Sequence, residues 1–120
     1  MTQILNPQII QGIPEINCDE VFGKLEQLIG HVKLIDVRRL EEFNAELGHI
    51  DGAELITLGP DLNEFLNREN KDQEIVFVCR SGGRSGSATF ESVRLGFKKT
   101  MNMSGGMLAW NALKLPIIKD

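Results

Sequence analysis

The 120-residue sequence is poor in cysteine, in long apolar runs and in blocks of positive charge. Two cysteines far apart in sequence, Cys18 and Cys79, do not form the disulfide framework of a small secreted protein, so we expect two reduced thiols. No apolar run approaches the length of about 18 residues that a membrane helix needs, so no membrane contact is expected. The net charge is −4 and the nearest approach to a basic block is Lys98-Lys99, which argues against general nucleic-acid binding.

The chain also lacks a targeting signal and a metal-binding cluster. Residues 1–7 have neither the basic region nor the apolar core of a secretory signal, which predicts a cytoplasmic location. The two histidines, His31 and His49, belong to no cluster of metal ligands, so a zinc site is not expected. We expect His49 to make a structural hydrogen bond.

Length and composition predict a single globular domain. Apolar residues make up 42% of the chain and charged residues 25%, as in ordinary folded proteins. A chain of 120 residues can build one packed core but has no room for a second domain. Residues 1–12 have no clear hydrophobic period and are expected to form an N-terminal arm, residues 13–120 the domain. We expect the protein to be a monomer.

The most informative stretch of the chain runs from residue 75 to residue 85. Residues 75–78 are continuously apolar and rich in β-branched side chains, which predicts a strand covered on both faces, as in a parallel sheet. Cys79 comes directly after that strand. Beyond it, Ser85 is expected to cap a helix that Gly96 ends. The expected order is strand, loop and helix, with a thiol where the strand ends.

The loop after Cys79 has the features of an anion-binding site. Gly82 and Gly83 can adopt left-handed or otherwise strained backbone angles, so that successive N–H groups turn inward as a nest. A helix N-terminus at this edge of an α/β sheet adds further unpaired N–H groups and a positive dipole end. Such surroundings lower the pKa of a thiol, and the thiolate is the nucleophilic form.

The other side chains of the loop supply hydrogen-bond donors and positive charge. The hydroxyls of Ser81 and Ser85 can donate to an anion. Arg80 and Arg84 are always charged and can clamp an oxyanion substrate. The loop therefore combines an attacking sulfur with a binding site for an anion.

Strands alternate with helical segments along the whole chain. This pattern predicts right-handed crossovers and a central, mostly parallel sheet of about five strands with helices on both faces, the α/β class. The expected strands are residues 13–16, 32–37, 53–57, 75–78 and 99–103. The expected helices outside the cysteine segment begin with a capping box at Asn17 and run to Gly30, run from Gly59 to Arg68, and follow Gly105-Gly106 until Pro116 ends the last one.

Two residues have more than one interpretation. Cys18 falls in the first turn of a helix, where it is either a small semi-buried residue or, if it faced Cys79, a partner for sulfur relay. Arg38 follows a strand at the same edge as Cys79. It either pairs with Glu41 or Glu42 and fixes that corner, which we favour, or leans over the rim of the pocket.

Three motifs of this chain resemble the rhodanese-like sulfurtransferases. The resemblance covers about residues 32–115. The motifs are the active loop CRSGGRS (79–85), a first motif LIDVR (34–38) with EEF (41–43) and GHIDGA (48–53), and a closing motif SGGM (104–107) with Trp110.

The resemblance implies a single rhodanese-like domain in which Cys79 accepts a sulfane sulfur, becomes a persulfide, and passes the sulfur to cyanide or a thiol. The implied donor is thiosulfate or a related persulfide, and two loop arginines suit dianionic thiosulfate better than 3-mercaptopyruvate. The partners would be this small anionic donor and a cyanide, thiol or protein acceptor. No metal or organic cofactor is needed.

Three other functions are compatible with parts of the pattern. A persulfide carrier or redox-sensing module would use Cys79 in the same way, and the sequence does not separate it from an enzyme. Phosphatase relatives have a longer loop than the four residues between Cys79 and Arg84, and the loop itself supplies no Asp, Glu or His as a general acid. An inactive scaffold usually lacks the cysteine, which is present here.

Overall fold

A computed structural model describes residues 3–119 as an α/β domain. None of the helices in this range is long and apolar enough to cross a membrane. The strands are β1 (Gln8–Ile10), β2 (Ile13–Ile16), β3 (Val32–Asp36), β4 (Glu54–Leu55), β5 (Glu74–Val78) and β6 (Thr100–Met103). The helices are α1 (Cys18–Gly23), α2 (Leu25–Leu28), α3 (Leu40–Phe43), α4 (Pro60–Arg68), α5 (Gly83–Arg94) and α6 (Gly106–Ala112).

The strands form one sheet in the order β1-β2-β6-β5-β3-β4. All neighbours are parallel except β1 and β2, which confirms the predicted mostly parallel sheet. The sheet has six strands instead of about five, because residues 8–10 of the expected arm pair with β2. All three side chains of β1 are exposed, so this strand has no buried face to produce a hydrophobic period. The boundary between the arm (1–12) and the domain (13–120) stays a prediction.

Helices cover both faces of the sheet, as predicted. Side chains alternate along a strand, so Val76 and Val78 of β5 pack in one hydrophobic cluster with residues of α1, α2 and α6. Ile75, Phe77 and the following Cys79 pack in a second cluster with residues of α4 and α5. The whole of β5 is buried, as expected for a central strand.

The first helical segment is shorter than its sequence pattern predicts. Asn17 caps it as expected and accepts a hydrogen bond from the N–H of Glu20 at 2.8 Å. The helix does not continue to Gly30, because the backbone breaks at Lys24 and a second short helix ends at Leu28. The break follows a glycine, which is a weak helix former.

Two further boundaries differ from the prediction. Pro116 does not end α6, which stops at Ala112, before the left-handed residue Lys114 (φ 59°). The carbonyl of Pro116 accepts a hydrogen bond from Trp110 Nε1 at 2.9 Å. The strand expected at 53–57 contains only the two residues of β4, which pairs with β3 alone at the end of the sheet. The helix predicted to run from Gly59 to Arg68 is confirmed as α4, which has its proline at the first turn.

A buried ion pair joins the end of β3 to the segment that follows it. Arg38 is 1% exposed, and its Nε and Nη2 donate to the Asp36 carboxylate at 2.9 and 2.7 Å. Its guanidinium also donates to the carbonyls of Gly48 and Glu42 at 2.8 and 3.3 Å. The prediction that Arg38 pairs with the Glu41 or Glu42 side chain is therefore wrong. The Asp36 carboxylate is nearer to Arg38 in the chain than either glutamate, and the side chains of Asp36 and Arg38 are equally buried.

His49 has the structural role predicted for it. Its Nδ1 lies 2.9 Å from the carbonyl oxygen of Phe43, and the two rings stack with their centroids 3.7 Å apart. Its backbone forms an antiparallel bridge with Ile118. These contacts hold the chain between α3 and β4 against the C-terminal segment.

We expect Asp36→Asn to destabilise the fold, because it leaves the Arg38 guanidinium buried without its counter-charge. The free energy of unfolding should fall by about 3 kcal/mol. Urea denaturation of the variant and of the unmodified protein measures the difference.

Glu64→Gln is the matched control, since its pair with Arg68 is mostly exposed and its atoms are 3.7 Å apart. It should cost less than about 0.5 kcal/mol. Equal losses in the two variants would show that the buried pair carries no special stabilisation.

Candidate active site

Strand β5 delivers Cys79 to the N-terminal end of α5. The helix begins at Gly83 and its cap is Gly82, which has a left-handed backbone (φ 103°). The prediction that Ser85 caps this helix is therefore wrong. Ser85 lies in the first turn of α5. Its hydroxyl contacts the buried sulfur of Cys79 and does not cap a backbone N–H group.

Three hydrogen-bond donors converge on the Cys79 sulfur. The N–H groups of Gly82 and Ser85 lie 3.1 and 3.3 Å from Sγ, and the Ser85 hydroxyl lies 3.2 Å from it. Gly82 supplies the inward-turned amide expected of a nest, whereas Gly83 is already helical. The residue is 1% exposed, so these protein donors take the place of water around the sulfur.

The balance of these contacts favours the thiolate. Burial alone would raise the pKa of the Cys79 thiol. The hydroxyl of Ser85, followed by the backbone N–H groups of Ser85, Gly82 and Ser81, lowers the pKa by more than burial raises it. The pKa of Cys79 is therefore below its ordinary value, as expected for a thiol at a helix N-terminus.

Asn102 on β6 contacts both Ser85 and Gly82, and it lies outside the motifs that indicate the site. Its Oδ1 lies 2.5 Å from the Ser85 hydroxyl, and its Nδ2 donates to the Gly82 carbonyl at 3.1 Å. The same Nδ2 lies 3.1 Å from both carboxylate oxygens of Glu15. The signal that points to it is a polar residue between two buried methionines at the carboxyl end of a strand.

The start of α6 holds the backbone of the loop in place. The N–H groups of Met107 and Leu108 donate to the carbonyls of Cys79 and Arg80 at 2.8 and 2.9 Å. A methyl group at Gly106 would lie 2.4 Å from the Cys79 carbonyl oxygen, so only glycine allows this approach. Gly106 of the closing motif is therefore required because this segment packs directly against the backbone of the cysteine loop.

The two loop arginines have different surroundings. Arg84 donates through Nη1 and Nη2 to the two carboxylate oxygens of Glu42, at 2.8 and 2.7 Å. This hydrogen bonding is the main reason that the pKa of Glu42 falls to about 2. The Arg80 side chain is exposed and makes no hydrogen bond or ion pair with residues 3–119. It lines a pocket of about 120 Å³ with Arg38, Glu42, Ala45, Glu46 and Leu47.

The remaining predicted site residues lie at the edge of this arrangement. Ser81 is exposed and contributes its backbone N–H, which is the smallest of the effects that lower the Cys79 pKa. Arg38 reaches the rim of the pocket, but its guanidinium is bound to Asp36. Arg38 is therefore a structural residue, held by the Asp36 carboxylate and not by that of Glu41 or Glu42, and it also lines the pocket.

Cys18 does not face Cys79. The two residues belong to hydrophobic clusters on opposite faces of the sheet. Burial, with a smaller contribution from the Asp19 charge, raises the pKa of Cys18 to about 11. The structure favours the interpretation of Cys18 as a small buried residue.

Comparison with known proteins agrees with this architecture. The profile of the family described as Rhodanese-like domain matches residues 22–113. The chain is 37% identical over 99 residues to YrkF of Bacillus subtilis, which is named as a candidate sulfur carrier protein. That match covers 82% of this chain, which spans about half (51%) of YrkF.

Two further relatives match over most of their length. Thiosulfate sulfurtransferase 18 of Arabidopsis thaliana is 37% identical over 101 residues, which are 73% of this chain and 72% of that protein. The human single-domain sulfurtransferase TSTD1 is similar in structure, with a TM-score of 0.70 and 29% identity over 84% of this chain and 97% of that chain. The family profile covers the cysteine loop, the whole of the first motif and the closing motif. From the profile and the fold together, this chain belongs to the rhodanese-like domain family.

Proposed function

We propose that the protein is a sulfurtransferase that moves a sulfane sulfur from thiosulfate or a related persulfide donor to a thiophilic acceptor through a persulfide on Cys79. The observation that carries this proposal is the convergence of three hydrogen-bond donors on one buried sulfur. Such donors stabilise negative charge on the sulfur, which is the form that attacks. The names of two relatives, thiosulfate sulfurtransferase and single-domain sulfurtransferase, support it.

The reaction would take place in two displacements at sulfur. The Cys79 thiolate attacks the outer sulfur of thiosulfate, a new S–S bond forms, and the bond to the sulfonate group breaks so that sulfite leaves with the electron pair. Cyanide or a thiolate then attacks the outer sulfur of the persulfide and releases the Cys79 thiolate. The amides of Gly82 and Ser85 lie where they can stabilise negative charge on the cysteine sulfur before the first step and after the second.

A persulfide carrier is the second candidate function. It is favoured by the similarity to YrkF and by the burial of Cys79, which would protect a bound sulfur from solvent. A carrier would form the same persulfide and transfer it to a protein thiol with negligible turnover of thiosulfate and cyanide. Steady-state turnover with these two small molecules therefore separates an enzyme from a carrier.

Replacing Cys79 by alanine should reduce thiocyanate formation from thiosulfate and cyanide to the background of the reaction without protein. The variant should also fail to gain the mass of one sulfur atom when it is incubated with thiosulfate, because the acceptor sulfur is missing. Thiocyanate assay and intact-mass spectrometry measure the two results.

Cys18→Ala is the matched control, since it removes the other thiol from the opposite face of the sheet. It should keep both the turnover and the mass increase. Sulfur loading that persists in Cys79→Ala and disappears in Cys18→Ala would show that Cys18 carries the persulfide, and would refute the role of Cys79.

The alkylation rate of Cys79 should rise with pH and reach half its maximum at a lower pH than that of an ordinary free thiol measured under the same conditions. The reason is that a lowered pKa leaves more thiolate at a given pH. Cys18, with a pKa of about 11, stays protonated in this range and does not contribute. The rate of reaction with iodoacetamide at a series of pH values gives the midpoint.

Ser85→Ala removes the hydroxyl that lowers the Cys79 pKa most, so the midpoint should move to higher pH. Ser87→Ala is the control, because Ser87 is an exposed residue of the same helix. A midpoint that stays in place in Ser85→Ala would show that the hydroxyl does not stabilise the thiolate.

A further inference from the structure

We propose that Glu42 is a specificity-determining residue for the sulfur donor. It holds Arg84 in a two-point ion pair and so keeps the Arg84 guanidinium from binding the donor. Donors with little negative charge are therefore favoured over dianionic thiosulfate. The proposal rests on the sulfur transfer through Cys79 proposed above and concerns the choice of donor. It reverses the preference for thiosulfate that a count of loop arginines gives.

The ion pair between Glu42 and Arg84 is fixed from both sides. The two terminal guanidinium nitrogens of Arg84 donate to the two carboxylate oxygens of Glu42 at 2.8 and 2.7 Å, a two-point contact that is stronger than a single hydrogen bond. Glu42 is also held by its own helix, since one of its carboxylate oxygens accepts from the N–H of Arg39 at 3.1 Å. With a pKa of about 2, Glu42 stays charged at any pH at which the protein would be assayed.

The other charges around the pocket do not replace Arg84. Arg38 lines the pocket, but the Asp36 carboxylate neutralises it at 2.7 Å. Arg80 is the one loop arginine without an ion pair to the described residues, and the Glu46 carboxylate shares its pocket. The residues that line this pocket do not include Cys79 or Arg84, and its two arginines share it with the carboxylates of Glu42 and Glu46. The pocket therefore offers little surplus positive charge to a dianion that approaches the cysteine loop.

Charge matters in this step because the attacking group is itself negative. Thiosulfate brings two negative charges towards the Cys79 thiolate, and like charges in a partly buried site repel strongly unless cations lie between them. An alkyl hydropersulfide carries at most one negative charge, as RSS⁻, and none in the protonated form, RSSH, that is attacked. The number of free guanidinium groups should therefore affect thiosulfate far more than RSSH.

Both donors give a balanced reaction at the same sulfur. With thiosulfate, the thiolate takes the outer sulfur and sulfite leaves with the electron pair of the broken S–S bond. With RSSH, the thiolate takes the outer sulfur together with its proton, and the thiolate RS⁻ leaves with the electron pair. Each donor leaves one extra sulfur on Cys79, so one mass measurement follows both reactions.

The test is the rate of Cys79 persulfide formation in Glu42→Gln, measured by rapid quenching and intact-mass spectrometry with thiosulfate and, separately, with an alkyl hydropersulfide. Glutamine keeps the size of the side chain and an oxygen for the Arg39 N–H, but not the charge that holds Arg84. The ratio of the thiosulfate rate to the hydropersulfide rate should rise about three- to tenfold, which corresponds to the net contribution of one ordinary hydrogen bond.

Glu41→Gln is the matched control, because it makes the same change at the neighbouring residue, whose carboxylate is exposed and contacts only Arg39 at 3.8 Å among the described side chains. Its ratio should equal that of the unmodified protein. If both donors load Cys79 and the ratio is the same in Glu42→Gln, the role of Glu42 is refuted while sulfur transfer stands. If neither donor loads Cys79 in the unmodified protein, the proposed function itself is refuted.

Two further variants keep the test decisive should Glu42→Gln fail to fold. Glu42→Asp draws the carboxylate back by one methylene and breaks the two-point geometry, so the ratio should rise in the same direction by a smaller factor. Arg80→Gln removes the uncommitted guanidinium and should lower the thiosulfate rate about tenfold. A thiosulfate rate that is insensitive to both changes would refute the proposal.

Discussion

Negative charge on a sulfur atom that is closed off from water is the condition on which this site depends. Burial makes that charge costly unless protein donors replace the lost hydration. At Cys79 the donors are the N–H groups of Gly82 and Ser85 and the Ser85 hydroxyl. They come from one short segment, but the segment keeps its shape because β6 supports it from behind and α6 binds its carbonyls. Strand β6 and helix α6, which follow the loop in sequence, thus help to hold the donors around the Cys79 sulfur.

Much of the fold could be predicted from the sequence, because the relevant signals are local. The continuous apolar run before Cys79 predicts a central strand, and the glycines after it predict a tight loop. Strand β1 could not be predicted, because its side chains are exposed and leave no period. The serine pattern predicts the helix cap at Ser85, whereas the cap is Gly82, because the pattern does not reveal that the Ser85 hydroxyl has a buried partner elsewhere.

The charged contacts of the site were the hardest part to predict, since a sequence gives the charges but not their partners. Arg38 and Arg84 look equally available in the motifs, yet each is bound by a carboxylate, from Asp36 and Glu42 respectively. The second pair joins residues 42 positions apart in the chain. Asn102 was missed for the same reason, because its contacts depend on the packing of β6 beside β5.

The Ser85 hydroxyl lies between two acceptors but carries a single hydrogen atom. Asn102 Oδ1 is 2.5 Å away on one side and Cys79 Sγ is 3.2 Å away on the other. A charged sulfur attracts that hydrogen, whereas a sulfur that has bonded to another atom and lost its charge returns it to the amide. The rotation of one O–H bond therefore lets the Ser85 hydroxyl respond to a gain or loss of charge on the sulfur.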